Sequence, residues 1–424
     1  MANVVHIPEL VDHIVANLES SKRSLLACSL VSSTWYLCVR PYLFHTVCLQ
    51  LSKISTFPTF IKSTNSIGQY IQKLCFRSHR NSSLPYVNSA ILAPLLPHLP
   101  CLHSLHFLGV GIRSAGEAPV PQPEPRRKIH SLEFHFNSNR WDKYTSQDVL
   151  DILGLFSHAD ELRLSYDDTG SVYIIPRGNT TVPVPIPGHT LTISILVLKS
   201  AIHGYSPLLI SLAETRSVII ECLDVEMFSS GMHEKEWEDL GTLTHTYRAT
   251  IQTLIFKPRA DYWVRTPLVL MRRIFFYLHS NLPNLQSLQS FTLYLEIPEG
   301  SESTSQKREL KTWTLLSGSL LNLPTSLRHI KLVLLPQMIS RTDVMPPPPI
   351  RLWFRDELSW KVIRKALHRL TALETATFAS VGSILASHNP EIHHDEVLVA
   401  KIKARLQLAR SIVIRHETVE RRSS

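Results

Sequence analysis

The feature that most constrains this chain is a six-residue pattern that keeps returning after residue 70. An apolar residue, two others, an apolar residue, one other and an apolar residue follow in that order. It appears as "IQKLCF" (71–76), "LHSLHF" (102–107), "IHSLEF" (129–134), "ADELRL" (159–164) and "ISILVL" (193–198). It recurs as "IQTLIF" (251–256), "LQSFTL" (288–293), "LRHIKL" (327–332), "LETATF" (373–378) and "ARSIVI" (409–414), with a looser "RSVIIECL" at 216–223. The closing alternation has the period of a strand with one buried face. Between these units lie stretches with apolar residues three or four apart. "SQDVLDILGLF" holds Val149, Ile152, Leu153 and Phe156, and "WKVIRKALHRL" holds Val362, Ile363, Ala366, Leu367 and Leu370. That spacing predicts helices. Strand and helix in alternation, always in one direction, predict an α/β fold with a parallel sheet and helices outside it.

One such unit cannot bury its own apolar face, so neighbours must stack to stabilise one another. The units resemble leucine-rich repeats, which implies a leucine-rich-repeat-like α/β solenoid, a horseshoe with a parallel sheet, over residues 49–420. Asn137 stands where that family usually carries Asn or Cys, and Asp167 is close to it. His79, Val110, Arg259, Glu296 and Leu335 occupy the equivalent place in other units. A doubly wound α/β sheet is the competing architecture, but eleven similar strands exceed an ordinary open sheet. Three proline-rich stretches, 118–125, 182–187 and 345–350, fall between units and read as rigid loops.

Composition narrows the function. With 44% hydrophobic and 19% charged residues the chain is a folded protein, not a disordered one. Its longest apolar runs are far too short to cross a bilayer. The opening residues lack the basic start and unbroken apolar run of a secretory signal, and the six cysteines include no CxxC pair. The expectation is reduced thiols in the cytoplasm or nucleus. Net charge is +9, concentrated early: residues 1–130 carry 12 Lys/Arg against 5 Asp/Glu. No basic run exceeds "RRK" (126–128) and no aromatics interleave with it, which argues against nucleic-acid binding.

Chemistry-bearing motifs are absent. "GVGIRSAG" (109–116) misplaces its third glycine and leads into proline-rich sequence, not a helix that could hold a phosphate. "EIHHDE" (391–396) sets its ligand-type residues side by side, where a helix points them about 100° apart, and reads better as an acidic helix start. "GYSPL" (204–208) lacks the second glycine of a nucleophile elbow. No acid–base pair or metal set has workable spacing, so neither an active site nor a cofactor is expected.

The first tenth of the chain differs from the rest. Pro8 suits the first position of a helix and Glu9 its positive end. Leu10, Ile14 and Leu18 follow at four-residue intervals. "ESSK" makes a turn, Leu25, Leu26, Leu30 and Val31 mark a second helix, and "SSTW" allows a break before a third that carries Trp35 and Val39. So few residues bury too little surface to stand alone. The stripes must rest on the repeats, as a helical cap would, or on another protein.

The order of residue types resembles an F-box, over residues 3–48. The matching positions are Pro8, Leu10, Ile14, Leu18, Leu25, Cys28, Val31 and Trp35, with Ile7 for the first leucine. Glu9 follows the proline directly, and Ser33 stands where Lys or Arg often precedes the tryptophan. The resemblance implies a non-catalytic substrate receptor of a Skp–cullin–F-box ubiquitin ligase. The F-box would dock the Skp adaptor, and through it cullin, by Pro8, Leu10, Ile14, Leu18, Val31 and Trp35. The repeats would hold an unidentified target protein. The alternative is a repeat scaffold for protein–protein interaction whose first helices only cap the array.

In each unit the residues between the apolar ones face away from the helices. Those positions, with the ones just after, hold Lys73, Arg77, Arg163, Lys199, Lys257, Lys331 and Arg415, joined by His106, His135, His329 and Tyr294, against Glu133 and Glu161. A basic face of this kind would favour an acidic or phosphorylated segment of the target.

Overall fold

A computed structural model of the chain describes residues 8–64, 66–77, 86–112, 126–137, 146–167, 190–199, 206–215, 217–228, 234–259, 277, 280–297, 320–336, 357–382, 394–406 and 413–420. The three proline-rich stretches and the first half of "EIHHDE" lie outside them. The chain forms two compact units, residues 1–194 with 215–218 and residues 195–214 with 219–424.

The first unit opens with α1 (Pro8–Asn17), α2 (Lys22–Ser29) and α3 (Ser33–Phe44). Both breaks are set by serines. The Ser21 hydroxyl accepts from the Ser24 amide at 3.4 Å and the Ser32 hydroxyl from the Trp35 amide at 3.3 Å. Each satisfies an amide that has no partner inside its own helix. Strands β1 (Thr46–Gln50), β2 (Lys73–Arg77), β3 (Ser104–Leu108), β4 (Arg127–Asn137) and β5 (Phe156–Asp167) follow, with helices α4 (Phe57–Ser63), α5 (Ser89–Leu92) and α6 (Ser146–Leu153) between them. Each strand pairs in parallel with the next in sequence.

The boundary between the units falls inside β6 (Leu191–Lys199). The second unit continues with α7 (Ser206–Glu214), β7 (Val218–Phe228), α8 (Glu234–Thr246), β8 (Thr253–Arg259), β9 (Ser290–Ile297) and β10 (His329–Pro336). It ends with α9 (Glu357–Arg369), β11 (Thr375–Gly382), α10 (His394–Leu406) and β12 (Val413–Glu420). From β7 to β12 every pairing is again parallel and between sequence neighbours. The chain is therefore α/β, and all eleven strands expected from the pattern are present. So are the two helices expected at 146 and 360, and Asp395 and Glu396 stand in the first turn of α10.

Why neighbouring strand repeats stack within each compact unit is visible at two places. The first is a backbone seam at the second position of several repeats. One carbonyl there accepts from two consecutive amides of the next unit: Gln72 O takes His103 N at 2.8 Å and Ser104 N at 2.9 Å. His103 O, Gln252 O, Gln289 O and Arg328 O repeat this double acceptance. The second is the core face, where register sets like residues over like. Phe76, Phe107 and Phe134 form a ring column with centroids 5.5 and 4.9 Å apart, close to the spacing of neighbouring strands, about 4.8 Å.

The seam begins one unit earlier than the sequence reading placed it. His45 O accepts from Gln72 N and Lys73 N, at 3.0 and 2.9 Å. "FHTVCL" (44–49) is thus a twelfth copy of the pattern, hidden because Phe44 also ends α3. Strand β1 straddles residue 48, where the helical segment was expected to end.

Candidate functional site

The three helices close around a small core of Val11, Val15, Leu25 and Val39, with Leu18, Cys28, Trp35, Cys38, Tyr42 and Leu43 packed against it. Valines 11 and 15 are one residue on from Leu10 and Ile14, so their stripe lies about 100° around α1. With the valines inside, Leu10 and Ile14 are left 39% and 40% exposed. Val31 is 60% exposed and Leu30 87%, and Leu26 and Leu37 are exposed too. Pro8 opens α1 at the surface.

The six residues expected to contact an adaptor therefore divide. Pro8, Leu10, Ile14 and Val31 face outward, while Leu18 and Trp35 belong to the packing of the helices themselves. Trp35 keeps one polar atom, Nε1, buried without an acceptor among the described residues. Leu26, Leu30 and Leu37 were not singled out for the surface. The spacing of Leu26 and Leu30, four apart on or beside α2, could have found them once Leu25 was assigned to the core. A surface with this many large apolar side chains on three short helices is the kind that marks a binding face.

This helical piece is tied to the strands. α3 runs into β1 through His45 alone, and Lys22 Nζ donates to Thr46 O at 2.7 Å. Beside that junction an open apolar hollow of about 450 Å³ has Phe44, Val47, Leu49, Phe57, Phe60 and Ile71 among its lining residues, with Lys53 as its charged member. Among the described residues β1 is an edge strand of the sheet, with β2 its one strand neighbour.

The polar strand face forms the second candidate surface. In the first unit, register places Cys48, Cys75, His106, Glu133 and Arg163 in one row across β1 to β5. His106 Nδ1 lies 2.8 Å from Glu133 Oε2, and Arg163 Nη2 lies 2.7 Å from Glu161 Oε1. The His106 hydrogen bond holds the Glu133 carboxyl below its usual range, against the opposing effect of burial. Lys73 and Arg77 flank Cys75 on the same face. The row has the residue types of a thiol–imidazole–carboxylate relay. Cys75 is nevertheless only 3% exposed, and burial together with Cys48 pushes its thiol up to about 11, the reverse of an activated nucleophile.

In the second unit Lys257 Nζ sits 2.5 Å from Asp224 Oδ2 and 5.7 Å from the centre of the Tyr294 ring. Lys331 lies on the same face, in register with Thr292 and Thr377, and Lys199 closes β6. The expected surplus of free cations is thus reduced. His106, Arg163 and Lys257 each already have a carboxylate, and Asp224, just past the looser unit, was missing from the sequence count.

Among the described residues no group of His, Cys, Asp or Glu could hold a metal ion, and no helix is long and apolar enough to cross a membrane. No family model matches the chain, and no curated protein matches it significantly.

Proposed function

We propose that the chain is the target-binding subunit of a Skp–cullin–F-box ubiquitin ligase, with residues 8–44 as the F-box and the strand units as divergent leucine-rich repeats. The observation that carries the reading is the division of labour in α1–α3. Val11, Val15, Leu25 and Val39 suffice for an internal core, and Leu10, Ile14, Leu26, Leu30, Val31 and Leu37 remain outside it. A cap folded only onto its own array has no use for that outward apolar set. The protein performs no chemistry in this role. It holds a target at high effective concentration near a conjugating enzyme recruited through the adaptor and cullin.

The polar strand face is the surface offered to the target. Its ion pairs favour a partner of mixed charge, because a run of phosphates would have to displace Glu161 from Arg163 and Asp224 from Lys257.

One observation favours the scaffold reading: α3 is continuous with the first strand unit, as a cap would be. Co-purification decides between the two. The full chain expressed in cells should retain the Skp adaptor. A variant carrying Leu10→Ser, Ile14→Ser and Leu30→Ser should lose it at least tenfold with an unchanged circular dichroism spectrum, since buried interface anchors each carry about 2 kcal/mol or more. No adaptor on the wild-type chain, or full retention by the variant, rejects the receptor and leaves the cap.

A further inference from the structure

Six cysteines are scattered through the sequence with no paired spacing, yet the strand register sets two of them side by side. Cys48 on β1 is the direct partner of Cys75 on β2. Neighbouring strands lie about 4.8 Å apart, inside the roughly 4.4–6.8 Å that a disulfide spans between Cα atoms. The register is direct, so both side chains leave the sheet on the same face, side by side. Both are free, Cys48 exposed and Cys75 buried. No other register partners in the described strands are both cysteine.

We propose that Cys48 and Cys75 are a peroxide-oxidised dithiol pair that closes into a reversible disulfide across β1 and β2. The division of roles follows from access. The exposed Cys48 sulfur attacks one oxygen of hydrogen peroxide, forming an S–O bond as the O–O bond breaks. Cys48 becomes a sulfenic acid, and the other oxygen leaves as water with the thiol proton. Cys75 then attacks the Cys48 sulfur. The S–S bond forms, the S–O bond breaks, and hydroxide departs as water with the Cys75 proton. Two thiols and one peroxide yield one disulfide and two waters. Cys75 needs no solvent access for this, because its target is the sulfur beside it. Lys73 and Arg77, on either side of Cys75 along β2, favour its thiolate electrostatically, while burial opposes it. A thiol reductant reverses the bond. The bond staples the strand that leaves α3 to its neighbour.

The test uses the full native chain treated with hydrogen peroxide, then quenched with N-ethylmaleimide in denaturant, so that buried Cys75 reacts if reduced, and digested without reduction. Mass spectrometry should find a Cys48–Cys75 linked peptide that dithiothreitol abolishes, with the same two of the six thiols lost to alkylation. In Cys75→Ser, dimedone should trap Cys48 as sulfenic acid several-fold more than in the wild type. In Cys48→Ser, Cys75 should stay alkylatable. The proposal is overturned if both thiols remain reduced at a peroxide dose that oxidises free glutathione. It is equally overturned if dimedone labels Cys48 alike with and without Cys75, or if Cys48 links to any other cysteine instead.

Discussion

Removing one ring from the phenylalanine column tests whether neighbour stacking is what stabilises this fold. Phe107 is fully buried and sits between Phe76 and Phe134, its ring nearly parallel to both, at interplanar angles of 16° and 7°. Truncating a core phenylalanine to alanine costs about 3–5 kcal/mol. Phe107→Ala also ends two ring contacts, each worth about 0.5–1.5 kcal/mol beyond burial. The expected loss therefore lies in the upper part of that range, at about 4–5 kcal/mol. Every 1.4 kcal/mol is about tenfold in an equilibrium constant, so local opening should rise about a thousandfold. Hydrogen exchange read by mass spectrometry should show β2, β3 and β4 losing protection on that scale, with β10 to β12 unchanged. In an array each unit draws stability from its immediate neighbours, which confines the damage. Phe60→Ala is the control: its side chain is exposed, and the loss should stay below about 1 kcal/mol. Equal loosening from β2 to β12 would refute the stacked-unit reasoning. A loss below about 1 kcal/mol for Phe107→Ala would refute the packing argument itself.

Two further outcomes follow from single contacts. A Cβ at Gly68 would run into the backbone carbonyl of His98, which cannot swing aside as a side chain could. Gly68→Ala should cost about 1–3 kcal/mol and lower the melting temperature, and an unchanged melt would show that the carbonyl gives way. Glu133 has a folded-state pKa below its ordinary value, held there chiefly by the His106 hydrogen bond. Its contribution to stability is complete above about pH 4.3 and is lost as pH falls through the lower folded value. Urea midpoints measured against pH should therefore fall less steeply below about pH 4.3 in Glu133→Gln than in the wild type, and parallel curves would contradict the linkage.

The sequence by itself determined the strands, the order of helix and strand, and the three opening helices, because each is written in a local period. An alternation such as Leu132, Phe134 and Phe136 needs no knowledge of a partner strand to be read. It could equally have disclosed β1, since "FHTVCL" obeys the rule. Phe44 served two elements at once, and the helical reading claimed it first.

What only the tertiary structure decided is which side of an ambiguous element faces in, and which distant residues meet. Helix α1 carries two apolar stripes, Leu10 with Ile14 and Val11 with Val15. Spacing alone cannot rank them, because the choice rests on how α2 and α3 approach. The pairing of Cys48 with Cys75, of His106 with Glu133 and of Lys257 with Asp224 depends on register between strands far apart in the sequence. A register slip of one residue would turn every one of those side chains to the opposite face. Loop lengths between units vary too widely to set that register. The backbone seam that begins at His45 and the stacked core rings set it, and neither exists until the units are folded against each other.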